Sequence, residues 1–298
     1  MRRQLFDCLV AGDANVDLLV EGVVDLEVGT EKLASRLELV LGGSSAITAY
    51  NLSSLGASVT FVGVIGQDLF GRFTEEKLRS GGVDIAGLRR TQDANTGMTI
   101  WHSRNGKRAG VTYPGTIAML QAKDIPEDLL KSARHLHVGA YFLQTSLHAD
   151  APDLFAQAKK LGLTTSLDCN YDPAGRWDSN LTAVLRHTDL FLPNESEALM
   201  ITGKPDAAAA AHDLATLART VVVKRGAHGA YIATDTTGFE VPAIPAKVID
   251  TTGAGDSFNA GFLIEFLKGG NLRSCAEAGV IAGARSVQQV GGTAAFEK

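Results

Sequence analysis

The sequence predicts an α/β protein built on a mostly parallel sheet, and three observations lead to that prediction. Short apolar runs alternate with helical stretches from about residue 120 onward, which is the order typical of a parallel sheet with helices on both faces. The 298 residues are 45% hydrophobic, enough to bury a substantial core. No apolar run approaches the roughly 18 residues that span a bilayer.

In the part after residue 120, predicted strands and helices follow one another regularly. The strands are expected at 135–138, 164–167, 190–192 and 221–224, and the helices at 149–161, 194–201 and 206–218. In sheets of this kind, ligands bind at the carboxyl ends of the strands. The loops that follow these strands are therefore the first place to look for a site.

The first 120 residues have a different pattern. Buried strands are expected at 6–12 and 58–64, and helices at 45–55 and 69–81. Four shorter, more polar strand candidates lie at 16–22, 37–41, 96–101 and 108–113, and the last two flank Asn105-Gly106, a strong hairpin signal. These four form either a small separate sheet inserted into the main domain or edge hairpins of a single sheet.

Charge and cysteine content exclude several classes of protein. Lys and Arg number 28 against 33 Asp and Glu, with no basic block, so no nucleic-acid partner is expected. Cys8, Cys169 and Cys275 are widely spaced, which predicts neither a disulfide scaffold nor a cysteine metal site and suits a reducing compartment. The short N-terminal apolar run is interrupted by Asp7 and does not fit a signal peptide. We expect a cytoplasmic protein without a membrane segment.

The most informative segment is residues 250–258, with the sequence Asp-Thr-Thr-Gly-Ala-Gly-Asp-Ser-Phe. Phe258, Phe262 and Phe266 then recur at four-residue spacing, which predicts an amphipathic helix with an apolar face. The Gly-Ala-Gly string therefore lies at a helix N-terminus, where unpaired N–H groups and the helix dipole attract anions. Small residues there allow a phosphate to approach the backbone closely.

Asp256 follows this string just inside the predicted helix. Its charge would oppose a bound phosphate, so we interpret it as a proton acceptor rather than an anion ligand. For a lone Gly-Ala-Gly, the alternative is a plain turn in which the Asp only favours the helix dipole. The full string is far more specific than that tripeptide and favours the catalytic interpretation.

This segment resembles the C-terminal signature of the ribokinase-like (PfkB) family of carbohydrate kinases. The resemblance implies that Asp256 is the catalytic base that deprotonates the acceptor hydroxyl. It also implies that the backbone of Gly253, Ala254, Gly255 and Asp256 forms the anion hole for the migrating γ-phosphoryl group. Phosphoryl transfer depends on positioning and charge stabilisation, which agrees with the interpretation from the residues alone.

The resemblance implies a fold as well: a three-layer α/β/α sandwich with a mostly parallel central sheet and a small β-sheet lid. Residues 1–298 would form a single ribokinase-like domain, with the lid made by inserted segments at about 13–45 and 95–115. The lid would close over the acceptor and exclude water. In many members lids pair between subunits, so a homodimer through the lid is expected.

Two N-terminal motifs resemble the acceptor-binding residues of the family. Asn15 and Asp17 follow the first predicted strand, and Asp17 would accept hydrogen bonds from two vicinal hydroxyls. Gly42 and Gly43 precede a helix and would allow close contact between the backbone and a sugar. Taken alone, the first motif also fits an Asx turn and the second a plain turn. Their order and position along the chain favour binding.

Two later motifs resemble the nucleotide side of the family. Asn194 would reach the nucleotide phosphates, and Glu197 would help to hold Mg²⁺ through water, because this cation prefers oxygen ligands and retains waters. In the loop after a later strand, Lys224 would touch phosphate, and Gly226 and Gly229 would line the nucleotide. The alternatives are a helix N-cap with acidic first-turn residues and a solvated basic turn.

Asp168 and Asn170 resemble the Asp-x-Asn segment of members that take sugars and sugar acids, so Asn170 is expected to bind the acceptor. Three positions depart from the family pattern. Ile47 replaces an Asn that contacts the substrate in many members, and Asp172 stands where several acid-accepting members have Arg. Val280 occupies a place where some members have Asn beside the purine. These departures leave the identity of the acceptor open.

Together these motifs predict an ATP- and Mg²⁺-dependent kinase of a small sugar or sugar derivative. One alternative is a nucleoside kinase of the same superfamily, with Trp101, Tyr113 or Tyr141 stacking on the base. Another is a catalytically silent sugar-binding regulator on the same scaffold. The 250–252 loop resembles a segment that supplies carbonyls to a monovalent cation, which leaves K⁺ activation open. A dinucleotide-dependent oxidoreductase is not favoured, because no Gly-x-Gly-x-x-Gly follows the first strand.

Overall fold

A computed structural model of the chain describes residues 6–22, 28–104 and 107–297. In chain order, its strands are β1 (Cys8–Ala11), β2 (Asn15–Glu21), β3 (Arg36–Gly42), β4 (Val59–Gly66), β5 (Asp84–Thr91), β6 (Met98–Arg104), β7 (Lys107–Tyr113), β8 (His135–Val138), β9 (Thr164–Leu167), β10 (Leu190–Phe191), β11 (Thr220–Lys224), β12 (Ala230–Ala233) and β13 (Gly238–Val241). The helices are α1 (Ser44–Ser54), α2 (Leu69–Ser80), α3 (Glu127–Leu130), α4 (Ala151–Lys160), α5 (Leu181–Leu185), α6 (Glu195–Thr202), α7 (Ala207–Leu214), α8 (Ala254–Leu267) and α9 (Leu272–Ser286).

Nine of the described strands form one sheet in the spatial order β13-β12-β11-β10-β9-β8-β1-β4-β5. Neighbouring strands from β11 to β5 are parallel, whereas β12 and β13 extend the sheet with antiparallel pairs. The predicted mostly parallel sheet is confirmed. Its parallel strands bring the carboxyl ends of β1, β9, β10 and β11 to one edge, where the site lies.

Each side of the large sheet has its own hydrophobic core, because alternate residues of a strand face opposite sides. In β1, Leu9 and Ala11 belong to one core, and Cys8 and Val10 belong to the other. Residues of α4, α5 and α7 pack in the first core, and residues of α1, α2, α8 and α9 pack in the second. The three-layer α/β/α architecture is therefore confirmed.

The four short polar strands of the N-terminal part form a sheet of their own, in the order β3-β2-β6-β7. β2 and β3 are antiparallel, as are β6 and β7, while β2 and β6 run parallel. Of the two arrangements that the sequence left open, the separate small sheet is the one observed. The predicted turn at Asn105-Gly106 lies outside the described residues.

Six of these strands and helices were not predicted from the sequence: α3, β5, α5, β12, β13 and α9. β5 and β13 are the edge strands of the large sheet, where a half-exposed strand needs no continuous apolar run. In α9, Gly279 and Gly283 lower the intrinsic helix propensity. Packing offsets this low propensity, because Gly279 lies directly against α8. A Cβ on Gly279 would lie 2.9 Å from the Phe258 ring of that helix. The small residues allow α8 and α9 to approach closely.

In the described ranges, no helix is long and apolar enough to cross a membrane. Cys8, Cys169 and Cys275 are all buried free thiols, in agreement with the expected absence of a disulfide scaffold. Cys8 lies on β1, Cys169 follows β9 and Cys275 lies on α9. Their burial within the sheet and helix layers makes them packing residues.

The core around α8 gives a test of the packing. Phe262 is fully buried, whereas Ile281 on the neighbouring α9 is 56% exposed. Phe262→Ala should lower the free energy of unfolding by about 3–5 kcal/mol, because it removes buried apolar surface and leaves a cavity. Ile281→Ala should change it by less than about 0.5 kcal/mol. Urea denaturation of the three proteins measures both, and equal effects would contradict the packing described.

Candidate active site

The N-terminus of α8 follows a glycine in the left-handed conformation, and no side chain caps the backbone N–H groups of its first turn. Gly253 precedes the helix at φ 69°, and a Cβ on it would lie 2.5 Å from the Gly292 Cα. One of the first-turn N–H groups, that of Ala254, makes a 3.3 Å bond to the Thr251 carbonyl. The uncapped end and the helix dipole together favour an anion here.

Asp256 lies in this first turn, partly buried, and a serine of another helix holds it. Ser44, the first residue of α1, donates its hydroxyl to Asp256 Oδ1 at 2.6 Å. Burial, and then the negative charge of Asp168, raise the pKa of Asp256 to about 8, while the Ser44 bond opposes the rise. A carboxylate of this kind is suited to accept a proton near neutral pH.

A buried ion pair lies beside this turn. Lys224 at the end of β11 donates to Asp168 Oδ2 at 2.5 Å and to Asn259 Oδ1 at 3.2 Å. Asn259 of α8 completes the set with a 2.6 Å bond from its Nδ2 to Asp168 Oδ2. Burial opposes the charge on Asp168, but the nearby Lys224 ammonium outweighs it and holds the carboxyl pKa below its ordinary value.

The same lysine brings positive charge to the N-terminus of α8. A Cβ on Gly255 would lie 3.5 Å from Lys224 Nζ, so the ammonium lies against the first turn of α8. Burial lowers the pKa of Lys224, yet the charges of Asp168 and Glu197 more than compensate and keep the pKa raised. Lys224 therefore stays charged where the helix end favours an anion.

Asn194 and Glu197 form a reciprocal cap at the start of α6. Glu197 N–H donates to Asn194 Oδ1 at 2.9 Å, and Asn194 N–H and Nδ2 donate to the Glu197 carboxylate at 2.8 and 2.6 Å. Burial, and then the charge of Asp168, raise the pKa of Glu197 to about 7.

In the described residues, no cluster of three or more His, Cys, Asp or Glu could hold a metal ion. With its oxygens in the cap, Glu197 suits an indirect contact to Mg²⁺ through water.

The predicted acceptor residues meet where β2 pairs with the end of β3. Asn15 lies opposite Gly42 in this register, and a Cβ on Gly42 would lie 2.4 Å from Asp17 Oδ1. Gly43 follows at φ 90°. Asn15 and Asp17 are both buried, and Asn15 Oδ1 has no hydrogen-bond partner in the structure. Glycine is thus required at position 42 for these two polar side chains to fit.

Comparison with known proteins identifies the family of the chain. The model of the pfkB family carbohydrate kinases matches residues 6–298, nearly the whole chain. The chain belongs to this family. The predicted recognition, the ribokinase-like fold and the class of ATP-dependent carbohydrate kinase are confirmed at the level of the family.

Two curated relatives show how broad the family is. The chain is 30% identical over 267 residues to a 2-dehydro-3-deoxygluconokinase of Bacillus subtilis, covering 84% of this chain and 82% of the relative. It is 28% identical over 271 residues to a nucleoside kinase of Methanothermobacter thermautotrophicus, covering 90% and 85%. The chain is thus a kinase of the sugar and nucleoside kinase superfamily.

Solved structures share the fold over almost the full length. A putative ribokinase II of E. coli in complex with ATP and Mg²⁺ has a TM-score of 0.86 at 22% identity, covering 98% of this chain and 96% of that one. Arabidopsis thaliana ribokinase complexed with ribose and ATP has a TM-score of 0.83 at 24% identity, covering 97% and 95%. At these identities, the likeness establishes the fold.

Not every predicted site residue lies in this cluster. Asn170 is held through the loop after β9, where its N–H donates to Asp168 Oδ1 at 3.1 Å. Gly226 and Gly229 bound a short turn after β11, at φ 53° and 80°. A Cβ on Gly229 would lie 2.0 Å from the Val241 carbonyl oxygen, so this glycine is required by contact with β13. Gly226 has open space around it.

The three departures from the family pattern have different surroundings. Ile47 packs on the anion turn, since Cβ atoms on Gly253 and Gly292 would lie 3.2 and 2.8 Å from its side chain. Asp172 accepts three backbone N–H bonds within its own loop, from residues 174, 176 and 177, so its carboxylate is used structurally. Val280 is buried in the core on the α8 and α9 side.

Three polar residues of the site were not identified from the sequence: Asp13, Ser44 and Asn259. Asn259 lies three residues after Asp256, and the helical spacing of the two would have been a usable signal. Asp13 accepts the N–H groups of Ser44 and Ser45 at 3.0 and 2.8 Å. No local pattern marks that contact, because the partners are about thirty residues apart.

Alanine variants of two glycines at positive φ distinguish an anion-binding role of the 253–256 turn from ordinary backbone strain. Gly253 (φ 69°) contacts Gly292, whereas Gly269 (φ 87°) has nothing near its missing Cβ. Gly269→Ala should cost about 1–2 kcal/mol of folding free energy and leave kcat unchanged. Gly253→Ala should cost more and lower kcat by about 10² or more, because it shifts the N–H donors.

Denaturant unfolding and steady-state turnover of both variants measure these effects. A Gly253→Ala protein with the turnover of the parent would contradict an anion-binding role for the turn.

Proposed function

We propose that this protein transfers the γ-phosphoryl group of ATP to a hydroxyl of a small sugar or sugar derivative. The observation that carries the proposal is the position of Asp256: a carboxylate with a raised pKa, in the first turn of a helix whose N-terminus is uncapped and lies against Lys224. The proton acceptor and the N–H donors to the anion thereby lie within one helical turn, and a compensating cation from β11 lies against that turn. This is the set that phosphoryl transfer needs.

Each group has a distinct role in the proposed reaction. Asp256 takes the proton of the acceptor hydroxyl while the hydroxyl oxygen forms a bond to the γ-phosphorus. The bond between that phosphorus and the ADP oxygen breaks in the same step. The backbone N–H groups of residues 253–256 stabilise the negative charge on the phosphoryl oxygens. Lys224 offsets the same charge from the side of β11. These contributions are electrostatic and need no covalent enzyme intermediate.

Bound Mg²⁺ would neutralise phosphate charge. On this chain, Glu197 would hold it through water, with Asn194 fixing the carboxylate and reaching toward the phosphates. The donor set supports this assignment, because Glu197 is a buried carboxylate that, within the described residues, belongs to no cluster of three or more His, Cys, Asp or Glu side chains that could hold a metal. Such a site suits a cation that keeps its waters and binds substrate phosphates. Lys224, Gly226 and Gly229 are the proposed nucleotide-side residues after β11.

For the acceptor, we propose Asn15, Asp17, Gly42, Gly43 and Asn170. Asp17 lies beside Thr99 in the register of the small sheet, and Thr99 Oγ1 lies 3.1 Å from Thr112 Oγ1. This polar row suits the hydroxyls of a sugar. The small sheet would act as the lid, formed by about 13–45 and 95–115, that closes over the acceptor.

For a nucleoside acceptor, the aromatic candidates fit less well. Tyr141 is fully buried and donates its hydroxyl to the Ser179 carbonyl. Trp101 packs closely against Gly110, since a Cβ on that glycine would lie 2.7 Å from the Trp101 ring. Tyr113 is 49% exposed. The burial and bonding of Tyr141 and the exposure of Tyr113 support the sugar proposal over the nucleoside one.

The outer face of the small sheet supports a homodimer through the lid. Leu39, Leu18, Ile100 and Val111 are cross-strand neighbours in one row, and Leu39, Ile100 and Val111 are exposed. An apolar row of this kind is best covered by another surface, and we propose a second copy of the chain. A monomeric mass at micromolar concentration in sedimentation would remove this proposal.

Two further expectations remain proposals. In the 250–252 loop, Asp250 Oδ1 accepts bonds from the N–H and hydroxyl of Thr252, and Oδ2 accepts the Gly291 N–H. This ordered loop supports a K⁺ site, which equal rates in K⁺ and in a large organic cation would remove. A cytoplasmic location is also proposed, and fractionation of cells would test it.

The function is tested by ADP release from ATP and Mg²⁺ across a panel of sugars, sugar acids and nucleosides. Asp256→Asn should lower acceptor-dependent kcat by about 10²–10⁴, because it removes the base. Glu277→Gln makes the same change of charge at an exposed site on α9 and should leave kcat unchanged.

Turnover that is the same in Asp256→Asn would contradict the role of Asp256. Saturable sugar binding without turnover would identify a silent binder instead, and turnover with nucleosides alone would identify a nucleoside kinase.

The raised pKa of Asp256 also sets the pH dependence. The base must be ionised to accept a proton, so kcat/KM for the acceptor should rise with pH through the region of this pKa, about 8. An ordinary aspartate, with a pKa near 4, would place the acid limb about four pH units lower. Initial rates from pH 5 to 10 measure it, and a flat profile above pH 6 would contradict the assignment.

A further inference from the structure

Ser44 makes a contact that its neighbours in the sequence do not suggest. It begins α1 immediately after Gly43, and its hydroxyl donates to Asp256 Oδ1 at 2.6 Å across 212 residues of chain. In the part of the chain that the structure describes, no other group donates a hydrogen bond to this carboxylate. The Ser44 hydroxyl therefore determines how the first oxygen of the base is held.

The position of Ser44 is itself fixed. Asp13, which is 3% exposed, accepts the Ser44 N–H through Oδ2 at 3.0 Å and the Ser45 N–H through Oδ1 at 2.8 Å. Gly43 packs against the backbone of Asp13, where a Cβ would lie 2.8 Å from the carbonyl oxygen. Asp13 thus fixes the backbone at the start of α1, which places the Ser44 side chain beside Asp256.

Two other polar contacts join α1 to α8, but neither reaches the carboxylate. Thr48 donates its hydroxyl to the Asp256 backbone carbonyl at 3.5 Å. Asn51 Nδ2 donates to Ser257 Oγ at 3.0 Å, and a further bond from it reaches the Gly292 carbonyl, outside α8, at 2.9 Å. Docking of the two helices is thus secured separately. Ser44 is the residue of this interface that contacts the reacting side chain.

The charges around Asp256 explain why a donor is needed there. Asp168 after β9 and Asp13 after β1 are negative and oppose ionisation of Asp256, while Lys224 of β11 and the Ser44 hydroxyl favour it. Lys224 is already bonded to Asp168 and Asn259. The Ser44 hydroxyl is thus the direct donor to the ionised base.

We propose that Ser44 is the positioning residue of the base: its hydroxyl holds Oδ1 of Asp256 and leaves Oδ2 to receive the proton of the acceptor. The proposal rests on the kinase function proposed above, and it assigns a role to the side chain that follows the Gly42-Gly43 pair. Ser44 does not react. Its hydrogen bond favours the ionised form of the carboxylate and holds it in one orientation before the acceptor binds.

Three variants test this role. Ser44→Ala should move the acid limb of kcat/KM by about one pH unit to higher pH, because a hydrogen bond to an ionised group is lost. Turnover should fall about tenfold below that limb and recover at high pH. Ser44→Thr retains a hydroxyl and should restore the profile of the parent. Thr48→Val removes the other hydroxyl bond from α1 to residue 256 and should leave the limb in place.

A purely structural role for Ser44 would lower kcat equally at every pH, and Ser44→Ala and Thr48→Val would then behave alike. That result, or an acid limb that stays in place in Ser44→Ala, would overturn the proposal.

A second measurement separates this proposal from the kinase function. Carbon-13 NMR of aspartate carboxyls follows the titration of Asp256 directly, with the resonance assigned by its loss in Asp256→Asn. The titration should move to higher pH in Ser44→Ala and not in Thr48→Val, whether or not an acceptor has been found. If no acceptor is turned over but the titration moves, the proposed function fails and the contact between Ser44 and Asp256 stands. An unchanged titration overturns the role of Ser44 by itself.

Discussion

The buried ion pair between Lys224 and Asp168 is the interaction on which the rest of the site depends. It joins the ends of β9 and β11 to α8 through Asn259. The surroundings hold Asp256, Glu197 and Asp13 as further carboxyl groups, so one ammonium offsets several negative charges. Loss of either partner would leave a buried charge uncompensated, which typically costs about 3–5 kcal/mol.

This pair also explains how one helix end can carry a carboxylate and still attract an anion. The N-terminus of α8 favours negative charge. Without other groups nearby, the Asp256 carboxylate would satisfy that preference and repel a second anion. With Lys224 beside Gly255 and Ser44 bonded to the carboxylate, the N–H groups of Gly255 and Asp256 remain for a second anion. The proposed base and the proposed anion site can therefore share one helix end.

Local patterns were sufficient for most of the fold and for the centre of the site. Strand–helix alternation predicted the parallel sheet, and the 250–258 string located Asp256 in the first turn of α8. What the sequence could not supply depends on distant contacts. The contact between Ser44 and Asp256 joins residues 212 positions apart, and α9 forms because its glycines pack on Phe258 in spite of their low propensity. Edge strands such as β5 carry polar residues, so they lack the continuous apolar run from which the buried strands were predicted.

The central claim is that the transferred phosphoryl group lies at the first turn of α8. The most direct measurement is a crystal structure with ADP, Mg²⁺, aluminium fluoride and an acceptor, the fluoride complex standing in for the phosphoryl group in flight. We expect the fluoroaluminate within hydrogen-bond distance of the N–H groups of Gly255 and Asp256, with the acceptor hydroxyl on Asp256 Oδ2. A fluoroaluminate bound at the Gly226–Gly229 turn, away from α8, would contradict it.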